Sequence, residues 1–327
     1  MQGLVRAESW PIRGGFRIAR GARAAAEVLV VELHDDGRVG RGECVPYARY
    51  EESIDSVRAQ IEATCSRLER DGAGEQIRAM PAGAARNAMD CALWELEAKR
   101  ARKPPWQLAG LDRPPDPVPT MRTVSVDTAA NMKAAAAKLV HARVIKVKVD
   151  GGADLARIAA VHEAAPDAEL VVDANEAWSV GQLAAWLPLL PELGVAVVEQ
   201  PLPADDDAAL RELERDVPIC ADESFHDRRS FSRIQRAYDM VNIKLDKAGG
   251  LTEALYCIGE ARRLRLRVMV GCMVSTSLAI EPALLLTPDA EYVDLDGPLL
   301  LETDREGTRH DREAGLLRPS TSIWGAA

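Results

Sequence analysis

VIKVKVD (144–150), ELVVDAN (169–175), AVVEQ (196–200), ICADE (219–223) and MVNIKLD (240–246) recur at intervals of about 25 residues. Each is a short, mostly β-branched run that closes on charged side chains, and amphipathic helical patterns such as Leu155–Ala164 and Val180–Leu190 fill the gaps. The same rhythm extends outward. It adds strands at Thr120–Val124, Arg267–Val270 and Tyr292–Val293, and helices at Thr128–Leu139, Thr252–Arg263 and Ser277–Leu286. Eight alternating units predict an α/β fold: a (β/α)8-type TIM barrel over residues 113–304 whose last helix is degraded. A doubly wound sheet that binds a dinucleotide would carry GxGxxG after its first strand, and neither that motif nor a Walker A sequence is present.

Residues 1–112 have a different texture. Gly3–Trp10, Glu27–Leu33 and a Gly-punctuated run ending at Pro46 read as antiparallel strands, followed by helices at Glu52–Arg70 and Ala82–Arg100. This reads as a separate α+β domain, divided from the barrel by a proline-rich stretch from Lys103 to Pro119. Residues 305–327 form a C-terminal segment beyond the barrel.

Composition narrows the function. The 327 residues carry 41 Lys+Arg against 51 Asp+Glu, and the net charge of −10 opposes docking on nucleic acid or anionic membranes. No window reaches the roughly 18 apolar residues of a membrane span, and the N-terminus lacks the apolar core of a secretory signal. Six dispersed cysteines without a CxxC pair fit a reducing compartment, so the expected location is the cytoplasm. A homo-oligomer is left open. The five histidines show no zinc spacing, so a bound metal would have oxygen ligands and be hard, as Mg²⁺ is.

In a barrel the reactive groups stand at the carboxyl ends of the strands. Here those ends carry Lys146 and Lys148, Asp173, Glu199, Asp222 with Glu223, Lys244, and Asp294 with Asp296. Asp173, Glu199 and Asp222 lie one strand–helix unit apart, which gathers three mutually repelling carboxylates at one level. A divalent cation among them would relieve that repulsion. Alternate residues of a strand share a face, so Lys146 and Lys148 point together into the mouth, as do Asp294 and Asp296. Lys148 and Lys244 fall on the second and sixth strands, on opposite sides of the ring. Burial and a neighbouring cation would lower a lysine pKa, and two opposed amines suit a 1,1-proton transfer that inverts carbon. Salt bridges between these lysines and the acids are the alternative.

The motifs IKVKVD (145–150), VVDANEAW (171–178), VEQPLP (198–203), CADES (220–224), VNIKLDKAGG (241–250) and GCMVSTS (271–277) resemble the enolase superfamily in its muconate-lactonizing subgroup. PAGAARNAMDCALWELEAKR (81–100) matches that family's capping domain, so the likeness spans nearly the whole chain. The resemblance implies Mg²⁺ held by Asp173, Glu199 and Asp222, Lys148 and Lys244 as catalytic bases, and an enediolate stabilised by the metal and Lys146. It also implies a C-terminal tail packed back on the cap. VDLDGP (293–298) is similar to the dipeptide epimerases, the L-Ala-D/L-Glu epimerases, in which acids at the positions of Asp294 and Asp296 hold the substrate α-ammonium. The implied activity is epimerisation of L-Ala-D-Glu to L-Ala-L-Glu, with a role in recycling cell-wall peptides. Thr123 and Cys272 fall on substrate-contact positions by the same likeness. Arg17, Arg20 and Arg23 are candidates to meet a glutamate carboxylate, with no choice among them. Relatives with an acid at the position of Ser275 differ from this chain, which leaves side-chain preference open. Sister activities remain as alternatives: N-acylamino-acid racemase, cycloisomerase, o-succinylbenzoate synthase, or a non-catalytic metal-binding barrel.

Overall fold

The structure is a computed structural model that describes residues 1–69 and 71–325. Arg70, at the predicted end of the first helix, and residues 326–327 of the tail lie outside the described residues. Strands β1 (Gln2–Ile18), β2 (Gly21–Asp35) and β3 (Arg38–Cys44) form an antiparallel sheet in that order. The first hairpin is longer than the sequence pattern suggests. Its register shifts between Pro11 and Phe16, then resumes with Phe16 opposite Arg23 and Ile18 opposite Gly21. Pro11 has no N–H to donate, and Gly14 and Gly15 take left-handed φ of 69° and 76° through the irregularity. The arm beyond it carries arginines in place of apolar alternation, so periodicity does not reveal it.

Helices α1 (Ile54–Cys65) and α2 (Ala84–Ala101) pack against this sheet. The Ser53 side chain accepts from Ser56 N and caps α1 two residues inside the predicted start. α2 presses so closely on β3 that a Cβ at Gly40 or Gly42 would overlap the carbonyls of Ala92 and Ala88. The glycines of the GRVGRGE run therefore serve packing as well as turning.

Eight parallel strands follow: β4 (Arg122–Val124), β5 (Val144–Lys148), β6 (Glu169–Asp173), β7 (Val195–Glu199), β8 (Ile219–Ala221), β9 (Met240–Lys244), β10 (Arg267–Gly271) and β11 (Tyr292–Asp294). They pair in sequence order. The ends of the sheet meet where Met121 N donates to Val293 O at 2.8 Å and Leu295 N to Thr120 Oγ1 at 2.9 Å. Helices α3 (Ala129–Ala136), α4 (Asp154–Ala164), α5 (Val180–Trp186), α6 (Leu251–Leu264) and α7 (Ser277–Ala283) connect strands around the outside. β7 and β8 are followed instead by short helical turns, at Ala204–Glu212 and Phe231–Ile234. After β11 only one turn, Gly297–Leu300, remains of the eighth helix, as expected.

Period-two alternation places the chemistry. Met121, Val144, Val171, Val197, Cys220, Met240, Met269 and Tyr292 pack together as an apolar plug. Two residues further along each strand come Thr123, Lys146, Asp173, Glu199, Asp222, Asn242, Gly271 and Asp294. A polar level thus rests on an apolar floor.

Carboxylates at the seam hold the cap to the barrel. Asp90 of α2 accepts from Thr252 N at 2.9 Å, at the start of α6, and Glu43 of β3 accepts from Thr276 N at 2.8 Å, at the start of α7. Each supplies an acceptor that a helix N-terminus lacks within its own chain segment. Asp246 accepts in return from Val45 N and Asn87 Nδ2. The tail touches the cap as well: Arg305 bonds Glu8 and Glu43, and the Trp324 indole donates to the carbonyls of Arg41 and Cys91.

Candidate active site

A cavity of about 400 Å³ opens at the carboxyl ends of the strands, between the barrel and the β1–β2 arm. The barrel contributes Lys146, Lys148, Asp222, Lys244, Asp294 and Asp296 to its walls; the cap contributes Phe16, Arg20, Arg23, Tyr47 and Tyr50. In this volume range a pocket suits a small molecule.

Its floor holds the acidic trio. Asp173, Glu199 and Asp222 are buried, and one oxygen from each lies within 4.8 Å of the others. Lys146 Nζ stands 3.1 Å from Asp173, 2.7 Å from Glu199 and 2.7 Å from Asp294. Lys148 Nζ donates to Asp173 Oδ2 at 2.5 Å, with Asn175 Oδ1 at 3.4 Å. Lys244 Nζ donates to Asp222 Oδ2 at 2.7 Å, and Lys247 Nζ approaches the other oxygen, Oδ1, at 2.5 Å.

These contacts set the ionisation. Burial raises the Asp222 pKa, but Lys244, Lys247 and Lys146 outweigh it and hold the carboxyl well below its ordinary range. Burial and the Asp173 charge push Glu199 up to about 7. Lys244 departs from expectation: burial lowers its pKa, yet Asp222, aided by Glu199, more than reverses it. Lys146 is likewise raised, because Asp294, Glu199 and Asp173 overcome its desolvation. Lys146, Lys148 and Lys244 thus each pair with an acid of the trio, and the charges on Lys146 and Lys244 offset part of the repulsion among the three carboxylates.

The trio also fits a hard cation. Its ligands are all carboxylate oxygens on rigid strand ends, and Glu199 Oε2, although close to Lys146, makes no aligned hydrogen bond.

The remaining predicted residues surround the same cavity. Asp296 Oδ2 accepts from Thr123 N at 2.9 Å, and burial beside Asp294 pushes the Asp296 pKa up to about 6. Cys272 also lines it; burial, Asp294 and Asp296 push its thiol well up, which leaves a small apolar wall rather than a nucleophile. Of the three arginines, Arg20 is committed, bonding Glu223, Glu176, Tyr47 and the Asn175 carbonyl. Arg23 lies over the Tyr47 ring at 5.0 Å, and among the described residues no carboxylate is within ion-pair distance of it. Arg17 is not among the cavity-lining residues.

Asn175, Asn242, Lys247 and Tyr50 join the site without standing out in the sequence. Period two would have found Asn242, two residues before Lys244, and Asn175, two after Asp173. Tyr50 comes from the cap, and only the folded chain brings it here.

Residues 1–110 match the mandelate racemase / muconate lactonizing enzyme N-terminal domain, and residues 127–319 match the enolase C-terminal domain-like family. An L-Ala-D/L-Glu epimerase of Escherichia coli (strain K12) is 49% identical over 91% of this chain and 94% of its own length. An N-acetyl-D-glutamate racemase of a Pseudoalteromonas species is 41% identical over 92% of this chain and 96% of its own. The crystal structure of a dipeptide epimerase from Enterococcus faecalis V583, complexed with Mg and L-Leu-L-Tyr, superimposes with a TM-score of 0.91 at 28% identity, covering 99% of this chain and 98% of that one. The chain belongs to the enolase superfamily and carries both halves of its mandelate racemase / muconate lactonizing architecture.

Proposed function

We propose that this protein is a Mg²⁺-dependent dipeptide epimerase that interconverts L-Ala-D-Glu and L-Ala-L-Glu. The observation that carries the reading is the Asp294–Asp296 pair at the closing seam of the barrel, facing the same cavity as Lys148 and Lys244. Two acids in a partly dry pocket suit a free ammonium group, which a dipeptide has and an N-acylated amino acid lacks. The E. coli relative's activity and the dipeptide and Mg in the E. faecalis structure support it.

Asp173, Glu199 and Asp222 would hold Mg²⁺, which when bound stabilises negative charge on the substrate α-carboxylate. Lys146, buried between the trio and Asp294, adds a fixed positive charge beside it. Lys148 on β5 and Lys244 on β9 stand four strands apart in an eight-strand ring, so each addresses a different face of the Cα. One lysine takes the α-proton into a new N–H bond as the free amine, a state that becomes accessible when the acid it pairs with here would instead be engaged by the cation. The other, as the ammonium, gives a proton to the opposite face, so the two exchange protonation states in each turnover. Asp294 and Asp296 hold the substrate ammonium, while Thr123 fixes Asp296 and Cys272 walls the pocket. Arg23, lining the cavity with no acid partner among the described residues, meets the glutamate side-chain carboxylate, and residues 1–112 act as the specificity cap over the 113–304 barrel. The six thiols are all free, which supports a cytoplasmic setting, and there the enzyme would take part in recycling cell-wall peptides.

The test is incubation with Mg²⁺ and L-Ala-L-Glu in D₂O. Deuterium at the glutamate α-position together with L-Ala-D-Glu, seen by NMR and chiral chromatography, is the expected result. The 41% identity to an N-acetyl-D-glutamate racemase favours one second reading. Faster turnover of N-acetylglutamate than of the dipeptide, unharmed by Asp294→Asn and Asp296→Asn, would establish it instead.

A further inference from the structure

Two groups in the motif that supplies Lys244 touch the acidic trio from behind, and neither lines the cavity. Asn242 is fully buried in the polar level of the barrel, and its Nδ2 donates to Glu199 Oε1 at 2.9 Å. That donor fixes the amide: Oδ1 faces away and has no hydrogen-bond partner among the described residues. It lies against Gly271, where a Cβ would overlap it. A buried amide with an orphaned oxygen costs stability that an apolar side chain would not, and the neighbouring strand has no side chain in order to admit it. Lys247, also buried, donates to Asp222 Oδ1 and to the Asp222 carbonyl, both at 2.5 Å, and to the Asn242 carbonyl at 3.0 Å. It thus grips one residue at two points and ties it to the strand that carries Asn242.

We infer that Asn242 and Lys247 are positioning residues for the metal: Asn242 orients Glu199, Lys247 orients Asp222, and each occupies one oxygen so that the other is presented to the cation. The two lysines on Asp222 then divide their work. Lys244 sits on Oδ2 at the cavity side and is the one that leaves for substrate chemistry, whereas Lys247 stays behind on Oδ1. Groups that orient metal ligands in this way contribute about 10–100-fold in metal affinity.

The inference rests on the reading of Asp173, Glu199 and Asp222 as metal ligands, so the test measures metal binding apart from turnover. Mn²⁺ is titrated into the metal-free full-length enzyme and free Mn²⁺ is followed by its EPR signal. Absence of a saturable site in the wild type would overturn the ligand assignment itself, and this inference with it. Given wild-type binding, Asn242→Ala and Lys247→Met are each expected to bind Mn²⁺ about 10–100-fold more weakly. Far-UV circular dichroism should stay unchanged, and kcat should largely recover at saturating Mn²⁺. Asn242→Ser, which keeps a shorter donor, should fall between alanine and wild type, and it carries the test if the alanine variant does not fold. Folded variants with wild-type Mn²⁺ affinity would overturn the inference and leave the metal site standing.

Discussion

Lys146 donates to Asp294 Oδ2 at 2.7 Å, joining the second barrel strand to the eighth across the position where the sheet closes. The same ammonium lies 2.7 Å from Glu199. One side chain therefore links the acids suited to a metal with the acids suited to a substrate ammonium. Whatever alters it disturbs both halves of the pocket.

Replacing it shows how much the pocket depends on that charge. Lys146→Met keeps the volume but leaves Asp173, Glu199 and Asp294 facing one another without their shared partner. Breaking a buried ionic cluster from one side costs about 3–5 kcal/mol, and urea denaturation at neutral pH should show a loss of that order. Epimerisation should drop at least about 100-fold, since a preorganised charge is lost with the stability.

Asp296 gives a pH signature. Its folded pKa of about 6 lies above the ordinary aspartate value of 3.8 because burial and Asp294 oppose the charge. The folded state therefore holds the proton more tightly than the unfolded chain, so the contribution of Asp296 to stability falls as pH rises from about 4 to about 6. Asp296→Asn should be more stable than wild type above pH 6, by on the order of 3 kcal/mol, and equal to it near pH 4. Binding runs the other way. Dipeptide KM should rise in the wild type as pH falls through 6, while Asp296→Asn shows a high KM without that inflection.

Arg23 should set the preference for the C-terminal residue. Arg23→Ala is expected to raise KM for L-Ala-L-Glu about 10–100-fold with little change in kcat, the loss expected for a charge-assisted contact to a non-reacting carboxylate. For L-Ala-L-Gln the same substitution should change KM by less than about threefold. Steady-state kinetics on the two dipeptides measures the difference.

Much of this was legible before folding, for a definite reason. The barrel strands are short β-branched runs, and the predicted Arg267–Val270 and Tyr292–Val293 each stop one residue short of the observed strands. Strand ends define the site, so Asp173, Glu199, Asp222, Lys148 and Lys244 could be placed by counting alternate residues. The β1–β2 arm was not legible, because Arg17, Arg20 and Arg23 interrupt the apolar alternation that marks a strand and the pairing resumes only past an irregularity at Pro11–Phe16. The ionisation of Lys244 also escaped. Burial and a neighbouring cation are evident from position, but the dominance of Asp222 over both at Lys244 depends on a 2.7 Å contact. Asp90 and Glu43 present a third case: their neighbours in sequence belong to the cap, and their partners are helix N-termini of the barrel.

The most direct measurement of the two-base account follows α-proton exchange in D₂O with each lysine removed in turn, using L-Ala-L-Glu and L-Ala-D-Glu separately. Lys148→Ala and Lys244→Ala should each lose epimerisation by at least about 1,000-fold, and each should still wash deuterium into one epimer, a different one for each variant. Exchange into the same epimer by both variants, or full epimerisation by either, would contradict it.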